Sequence, residues 1–441
     1  MSLYSEFFYS ASFNGLFSDS QTIEYMLRFE AALAQAQAKE GLIPADASDI
    51  IKANCKAEFI DIEKLKAEVK LGGNAAIPLV QQLSKIVEKQ NIEASKYIHL
   101  GATSQDVIDT ATMLAVQAYT VKMMSKINEL KDTLAQITTS HRNTLMIGRT
   151  LLQQARPITF GLKTATWLQS IEQCGDRISE LPATTLFLQL GGAVGSGNQY
   201  LTNQVQAEVA NHLGLKVSHS WNANRGGIAT IASVYGILNQ SLAKIAKDIT
   251  LLMQTEVGEV FEGSAEGKGG SSAMPNKRNP VTCTAILANS TRIPHLVASI
   301  LAAMPQEHER SAGMWQSEWE VLTELLKLTA GSLEKTLELI MGLEVDKDRM
   351  LQNLDLTHGL IFAENVSIAL ADSVGKLNAH ELVKKACKSA IAQKKHLKMV
   401  LYEMDLKLPN LDLLFDAEKS TGNSAAIIDD ILSKYQKLIQ K

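Results

Sequence analysis

The sequence is poor in the residues that make tight turns. It has 27 glycines and 9 prolines among 441 residues, below the roughly 12% that these two types contribute to an average protein. Because a many-stranded β protein needs a tight turn after most strands, this scarcity argues against an all-β architecture. Hydrophobic residues make up 46% of the chain and charged residues 20%, which is typical of a folded globular protein.

Cysteine is scarce as well. The four cysteines lie far apart and form no C-x-x-C pair; they are Cys55, Cys174, Cys283 and Cys387. This spacing indicates neither a disulfide framework nor a zinc site, so we expect reduced cysteines. The glycine cluster at 191–197 has the wrong order for a dinucleotide-binding G-x-G-x-x-G motif and predicts a turn near a pocket. We predict no metal and no cofactor.

The chain also lacks an excess of one charge and a long apolar run. It carries 43 Lys and Arg against 47 Asp and Glu, a net charge of −4, whereas a broad nucleic-acid surface needs a basic face. No stretch approaches the ~18 uninterrupted apolar residues of a membrane helix, and the first residues do not resemble a signal peptide. We expect a cytoplasmic protein that binds neither nucleic acid nor membrane.

Long stretches without proline or glycine predict long helices. The spans 183–274 and 306–408 contain no proline, and 102–147 contains neither glycine nor proline. Apolar residues recur every three or four positions between 237 and 257, which predicts a bundle helix. The same periodicity predicts helices over 22–40, 161–180, 280–303, 317–341, 360–373, 377–397 and 424–438.

These patterns predict an all-α fold with three helical domains. We place an N-terminal helical domain at 1–110, a central long-helix bundle at 111–355 and a C-terminal helical domain at 356–441. Helices as long as those of the bundle bury their apolar stripes best by packing together, within one chain or between subunits.

The residues best suited to chemistry lie in a glycine-rich loop between two predicted helices. Residues 262–280 combine four glycines with serine hydroxyls, lysine and arginine cations and an asparagine amide. By composition alone, such a loop is as typical of a solvated connector as of a mobile functional loop. However, residues 270–280 read G-S-S-A-M-P-N-K-R-N-P. This run resembles the G-S-S-x-M-P-x-K-x-N-P signature of the fumarase, aspartase and adenylosuccinate lyase superfamily.

That resemblance implies a fold, a chemistry and residue roles. It implies a homotetramer whose subunits share active sites for a small polycarboxylate. It also implies that Ser271 is the general base that exchanges a proton on carbon, with Lys277 and Asn279 beside it. A hydroxyl is a poor base, so Lys277 and backbone amides must stabilise its alkoxide and the charged intermediate. Asn276 stands where many members have histidine, so the role of that histidine in the family is assigned to no residue here.

A second segment, 99–106, reads H-L-G-A-T-S-Q-D and resembles the H-x-x-x-T-S-x-D segment of the superfamily. In that family its hydroxyls hold a substrate carboxylate at a helix N-terminus, where the helix dipole favours an anion. We therefore predict that His99, Thr103 and Ser104 bind substrate. Taken alone, Ser104 or Asp106 is as well explained as a helix N-cap, and His99 as a satisfied buried histidine.

A third segment, 148–161, resembles the G-R-T-H-x-Q-x-A-x-P segment of these lyases but has Leu151 in place of the histidine. In fumarases and adenylosuccinate lyases that histidine is tied to protonation of a basic leaving group. A carboxylate leaves as a stable anion and needs no such acid, although aspartases lack the histidine too. Gln153 matches the substrate-binding glutamine of the family, and the role of Gln154, where some relatives have histidine, stays open.

A fourth segment, 304–320, contains Arg310 followed by Trp315 and Trp319. In adenylosuccinate lyases the two tryptophan positions are polar, and the second is a phosphate-binding arginine. Two indoles cannot neutralise a phosphate, whereas Arg310 can pair bidentately with a carboxylate. We predict that Arg310 and Trp315 bind substrate; the alternative for both tryptophans, which lie four residues apart, is a core stripe.

Together with 254–262 and 73–80, these segments resemble the carboxymuconate-lactonising branch of the superfamily. The branch implies cyclisation of 3-carboxy-cis,cis-muconate to 4-carboxymuconolactone, in the protocatechuate branch of the β-ketoadipate pathway of aromatic catabolism. Two alternatives stay open. One is a fumarate-releasing lyase of the adenylosuccinate or argininosuccinate type, and the other is a helical scaffold that has abandoned catalysis.

Overall fold

The computed structural model describes residues 3–264, 269–270, 274, 277–406, 408 and 410–439. Helices dominate this part of the chain, so the prediction of an all-α fold is confirmed, with two small two-stranded sheets added. Within the same residues, no helix combines the length and the apolar character needed to cross a membrane.

The first twelve helices of the described chain include three of its five longest. In chain order they are α1 (Ser5–Phe8), α2 (Ala11–Asn14), α3 (Asp19–Lys39), α4 (Ala45–Asn54), α5 (Ile62–Gly72), α6 (Ala76–Glu88), α7 (Ile92–Ser95), α8 (Ser104–Ser140), α9 (Phe160–Ser179), α10 (Leu181–Thr184), α11 (Asn203–Leu213) and α12 (Gly226–Leu252). The remainder are α13 (Val281–Ala303), α14 (Met314–Met341), α15 (Lys347–Asp355), α16 (Ala363–Val374), α17 (Lys376–Gln393), α18 (Leu397–Glu403), α19 (Leu411–Leu414) and α20 (Ser424–Ile439).

Short 3-10 helices and strands connect these elements. The 3-10 helices are Gly15–Phe17, Ala57–Phe59 and Leu360–Phe362. The strands are β1 (Leu145–Thr150), β2 (Gln153–Thr159), β3 (Val260–Phe261) and β4 (Glu344–Val345). Each sheet is an antiparallel pair, β1 with β2 and β3 with β4.

Seven of the predicted helices agree with the structure to within four residues at either end. The helix predicted at 237–257 corresponds to α12 (Gly226–Leu252), which begins eleven residues earlier and ends five residues earlier. The run 102–147 is helical only up to Ser140. There the amide of Thr144 donates to the carbonyl of His141 and closes a turn, and β1 follows from Leu145. Because β1 and β2 show no regular alternation of buried and exposed residues, and β3 and β4 have only two residues each, the sequence pattern did not predict the strands.

The chain divides into two compact units, each assembled from three segments. The first unit comprises Met1–Asn128, Gln173–Ala243 and Ala285–Glu334. The second comprises Glu129–Glu172, Lys244–Thr284 and Lys335–Lys441. Helices α8, α9, α12, α13 and α14 contribute residues to both units. The division into three domains at 1–110, 111–355 and 356–441 stays a prediction.

The core of the first unit contains a cluster of aromatic rings around Tyr119 of α8. Tyr119 is fully buried, and its ring meets Phe13 and Tyr235 edge to face, at 5.5 and 5.0 Å between centroids. Its hydroxyl donates to the carbonyl of Leu326 at 2.7 Å. The cluster thus joins α8 to α12 and α14 and satisfies its buried hydroxyl, as a close-packed core requires.

In the second unit, β1 and β2 form a hairpin that ends in a two-residue turn. Thr150 pairs with Gln153, so Leu151 and Leu152 are the turn. The register shifts near Gly148, where a Cβ atom would lie 3.0 Å from the carbonyl oxygen of Arg156. The C-terminal helices α16, α17 and α18 pack around their own apolar cluster in the same unit.

Candidate active site

The start of α8 is fixed by the buried carboxylate of Asp106. The amide of Thr103 donates to Asp106 Oδ2 at 3.0 Å, and the amide of Asp106 donates back to the carbonyl of Thr103 at 3.0 Å. The amides of Gly191 and Gly192 donate to the same carboxylate, each at 2.9 Å. Burial raises the pKa of Asp106, and these hydrogen bonds oppose that rise. Asp106 therefore ties the helix start to the glycine-rich turn.

Arg310, in the connection between α13 and α14, brings its guanidinium to this helix start. Nη2 donates to Thr103 Oγ1 at 2.9 Å and to the carbonyl of Ala193 at 3.3 Å, and Nε donates to Gln105 Oε1 at 3.1 Å. Within the described residues, neither Nη1 of Arg310 nor the hydroxyl of Ser104 has a hydrogen-bond partner. A guanidinium beside a helix N-terminus favours a bound carboxylate.

The glycine-rich turn at 191–197 forms one wall beside these groups. Three of its glycines have positive φ, with values of +70° at Gly192, +78° at Gly195 and +68° at Gly197. A side chain is strained in that region, so glycine is required there. The turn is also held by Asn198, whose Nδ2 donates to the carbonyl of Gly101 at 2.8 Å.

His99 lies just before this helix start, in a left-handed backbone conformation with φ of +59°. Its Nδ1 is 2.7 Å from Oε1 of Glu30, a carboxylate that is almost fully buried. Burial opposes the charged imidazole, but the charge and hydrogen bond of Glu30 outweigh it, so the pKa of His99 is raised. The position fits the alternative of a satisfied buried histidine, and the role of His99 in substrate binding stays a prediction.

Trp315 is hydrogen-bonded to a buried ionic cluster, which we define as Asp109, Arg225 and Glu318. The indole is 2% exposed, and its Nε1 donates to Asp109 Oδ1 at 3.0 Å. Arg225 donates to Asp109 at 2.7 and 3.1 Å and to Glu318 at 2.5, 3.0 and 3.1 Å. Trp319 stacks edge to face on Trp315 at 5.0 Å. This placement fits the core-stripe alternative, and substrate binding by Trp315 stays a prediction.

The signature loop belongs to the second unit, and its predicted base, Ser271, lies outside the described residues. Lys277 is exposed, and the amide of Asn279 donates to the carbonyl of Gly269 at 3.0 Å. Arg278 donates to Glu344 Oε2 at 2.9 Å and to the carbonyl of Glu262 at 2.7 Å. These contacts anchor the C-terminal end of the loop to the body of the second unit.

The loop leads directly into α13, whose start is held by Glu262. The buried carboxylate of Glu262 accepts from the amides of Thr282 at 3.0 Å and Cys283 at 2.8 Å. An acidic group at a helix N-terminus satisfies amides that have no partner within the helix. Glu262 thus fixes the helix that carries the end of the signature.

The hairpin presents its tip to solvent. Leu151 and Leu152 have φ of +50° and +66°, and they are 96% and 76% exposed. Gln153, the predicted substrate-binding glutamine, is exposed directly after them. Close to the turn, the hairpin is held by Arg149, which donates to Glu259 at 2.7 and 3.0 Å. A pair of leucines at positive φ is strained, and such outliers concentrate at functional sites.

Comparison with known proteins decides the family. A family model described as lyase matches residues 8–294, and one described as adenylosuccinate lyase C-terminus matches residues 359–431. The chain belongs to the lyase family. The superfamily predicted from the motifs is thereby confirmed.

Individual relatives of this lyase cover nearly the whole chain. Proteins named 3-carboxy-cis,cis-muconate cycloisomerase from Acinetobacter baylyi and Pseudomonas aeruginosa are each 43% identical to it. The first alignment covers 98% of this chain and 98% of the relative, and the second covers 99% and 97%. The crystal structure of 3-carboxy-cis,cis-muconate lactonizing enzyme from Pseudomonas putida superposes with a TM-score of 0.93, at 41% identity and 99% coverage of both chains.

The structure of this lyase brings some of the predicted site residues together. Thr103, Ser104 and Arg310 lie together at the start of α8 in the first unit. His99 and Trp315 lie in the same unit, but His99 is hydrogen-bonded to Glu30 and Trp315 to Asp109. The predicted residues of the second unit are Gln153, Lys277 and Asn279. Their roles, like that of Ser271, stay predictions.

Sequence reasoning missed Gln105 and the ionic cluster as neighbours of the site, whereas the glycine cluster at 191–197 was predicted as a turn near a pocket. Gln105 is the variable position of the T-S-x-D segment, so the motif drew no attention to it. Asp109 and Arg225 are 116 positions apart, and no local pattern pairs residues at that separation. The available signal was the placement of Asp109 among the apolar residues of a predicted helix, because a buried charge requires a partner.

Proposed function

We propose that this lyase catalyses the cyclisation of 3-carboxy-cis,cis-muconate to 4-carboxymuconolactone. In this reaction a substrate carboxylate adds to a conjugated double bond of the same molecule. The 43% identity to proteins named for that activity supports the proposal. The observation that carries it is the Arg310 guanidinium beside Thr103 at the start of α8, a preformed place for a carboxylate.

Substrate binding must neutralise three carboxylates. Arg310 offers Nη1 to one of them, and a second meets the hydroxyl of Ser104 and the positive end of α8. Lys277 takes the third in the assembled enzyme, and His99 and Gln153 border the substrate. Holding the diene in one conformer puts the attacking carboxylate next to the double bond, which supplies the proximity advantage of an intramolecular reaction.

Proton transfer falls to Ser271. As the carboxylate oxygen bonds to one carbon, the electron pair of the double bond moves towards the neighbouring carboxyl group, giving an enolate-like intermediate. Ser271 then donates its proton to carbon, and Lys277 and Asn279 stabilise the negative charge. In the reverse direction the Ser271 alkoxide removes the same proton, as microscopic reversibility requires.

Leu151 fits this chemistry. In the reverse reaction the leaving group is a carboxylate, whose pKa of about 4 makes it a stable anion without protonation. An apolar side chain at the hairpin tip is therefore sufficient where a fumarase needs an acid. In adenylosuccinate lyases the histidine serves an amino leaving group, but aspartases lack it too, so Leu151 supports the proposal without carrying it.

The decisive test follows the ultraviolet absorbance of the conjugated diene. Purified enzyme added to 3-carboxy-cis,cis-muconate should remove this absorbance rapidly, and Ser271→Ala should lower kcat by at least about 100-fold, the contribution expected of a general acid-base group. Ser433→Ala, which removes the hydroxyl of an exposed helical serine, serves as the control and should retain full activity. Folded enzyme that leaves the diene intact, or that releases fumarate from adenylosuccinate, would overturn the assignment.

We further propose that the enzyme is a cytoplasmic homotetramer whose active sites combine residues of several subunits. Apolar groups open to solvent in the single chain support assembly. On α13, Leu301 is 48% exposed and Pro294, Ala298 and Ala302 are exposed as well. On α12, Ile237 is 46% exposed. Apolar residues that are exposed together on one helix are typical of a surface that becomes buried on association.

A further inference from the structure

We propose that Gln105 and the ionic cluster form a positioning relay that sets the orientation of the Arg310 guanidinium. Gln105 is fully buried, and among the described residues it is the one side chain with hydrogen bonds to both Arg310 and the cluster. The inference rests on the proposed function, because it concerns the carboxylate that Arg310 binds.

The amide of Gln105 can take only one orientation. Its Nε2 donates to Asp109 Oδ2 at 3.1 Å and to the carbonyl of Asn222 at 2.8 Å. Both of these partners are acceptors only, so the NH₂ group must face them and Oε1 must face the other way. Oε1 therefore points to Arg310 Nε, which it accepts at 3.1 Å.

Asp109 is held just as rigidly. Its two oxygens accept four hydrogen bonds, from two guanidinium nitrogens of Arg225, from Trp315 Nε1 and from Gln105. Arg225 is in turn fixed on its other side by Glu318, and the three charged residues are 2–3% exposed. Burial opposes the charge of Arg225, but Asp109 and Glu318 outweigh it and raise its pKa. The carboxylate that anchors Gln105 has no freedom to turn.

The charges favour the same conclusion. The ionic cluster holds two carboxylates and one guanidinium, so it carries one net negative charge beside the positive Arg310. Gln105 separates the two as a neutral spacer, which allows Arg310 to be attracted and oriented without being neutralised. A carboxylate at position 105 would instead pair with Arg310 and compete with substrate. The relay leaves Nη1 for the ligand.

A double-mutant cycle tests the relay. Gln105→Met, which keeps the length and removes the amide, should raise KM for 3-carboxy-cis,cis-muconate about tenfold, with a much smaller change in kcat. In an Arg310→Gln background the same substitution should cause no further loss of kcat/KM, because the relay acts through Arg310. An equal loss in both backgrounds, or an unchanged KM in the single variant, would overturn the proposal.

Two further variants are controls for an effect of the substitution on folding. Gln105→Asn keeps a buried amide but is one methylene shorter, and it should raise KM in the same direction even if the methionine variant does not fold. Asn239→Leu removes a different buried amide, which bonds Ser332 in the first unit. This control variant should lower Tm and leave KM unchanged. If it raised KM as much as the Gln105 variants do, the rise in KM would be a general effect of disturbed packing, and the relay would be refuted.

Binding of tricarballylate, an unreactive tricarboxylate, separates this inference from the proposed function. If the wild type leaves the diene intact but binds tricarballylate, the proposed reaction is wrong. The relay is then tested by the same double-mutant cycle, with the Kd for tricarballylate as the measured quantity. Non-additive losses of affinity for Gln105→Met and Arg310→Gln would then support it. Additive losses, or a wild type that neither reacts nor binds, would overturn it.

Discussion

His99 illustrates how a residue of the site region is tuned by one neighbour. Its Nδ1 lies 2.7 Å from the buried Glu30 carboxylate, which raises the pKa of the imidazole despite its burial. Protonation of His99 therefore favours the folded state. The stabilisation is fully present below the ordinary pKa of about 6.5 and is lost as pH rises through the raised pKa.

We predict that His99→Gln lowers Tm more at about pH 5.5 than at about pH 8.5, on either side of the ordinary histidine pKa. Differential scanning calorimetry of wild type and variant at both pH values gives the comparison. His380→Gln, at an exposed position of α17, is the control and should change Tm equally little at both. A larger loss at the alkaline pH would mean that Glu30 does not charge the imidazole.

At the scale of the element, the N-cap of α18 is a histidine, His396, where a serine or aspartate is usual. Nδ1 of His396 accepts the amide of Lys398 at 3.2 Å, which only the neutral imidazole can do. Burial lowers the pKa of His396; Lys398 and His358 lower it further, and Asp355 opposes them. The cap therefore stabilises α18 at pH values above the ordinary pKa of histidine. This stabilisation is lost as the pH falls through the lowered pKa of His396.

We predict that His396→Asn, which supplies a cap that does not titrate, makes the C-terminal helices less sensitive to acid. Hydrogen exchange of the α18 amides should accelerate between pH 7 and about pH 5 in wild type, after correction for the intrinsic exchange rate, and much less in the variant. His380→Asn should behave as wild type. Equal acceleration in wild type and His396→Asn would show that the cap is not what titrates.

The elements also show what a sequence can and cannot predict. Helices such as α9 and α14 were predictable because the periodic spacing of apolar residues can be seen within a short stretch of sequence. The hairpin was not, because its turn is Leu151-Leu152 rather than the Asn-Gly or Asp-Gly that signals a two-residue turn. In the site, motifs indicated Thr103 and Arg310 separately. Their contact across 207 positions and the intervening Gln105 depend on packing, which no local pattern records.

At the scale of the whole molecule, the proposed tetramer predicts that a charge on α13 prevents assembly. Leu301→Glu places a carboxylate on a face that we expect to be buried between subunits, where an unpaired charge is costly. Light scattering should give four times the mass of one chain for wild type and a smaller mass for the variant, with activity lost in parallel.

Leu377→Glu is the matched control for this experiment. Leu377 of α17 is 84% exposed, more than Leu301, and its replacement should leave mass and activity unchanged. If Leu301→Glu were still tetrameric and active, α13 would not be the assembly surface.

The leucine turn at the hairpin tip has a consequence for how the enzyme fails. A free subunit would keep two strained leucines in water, in addition to the exposed apolar residues of its long helices. Such a species has two fates, recombination with its own kind or nonspecific association. Dilution should therefore inactivate the enzyme gradually, and concentrating the sample afterwards should recover only the fraction that has not yet aggregated.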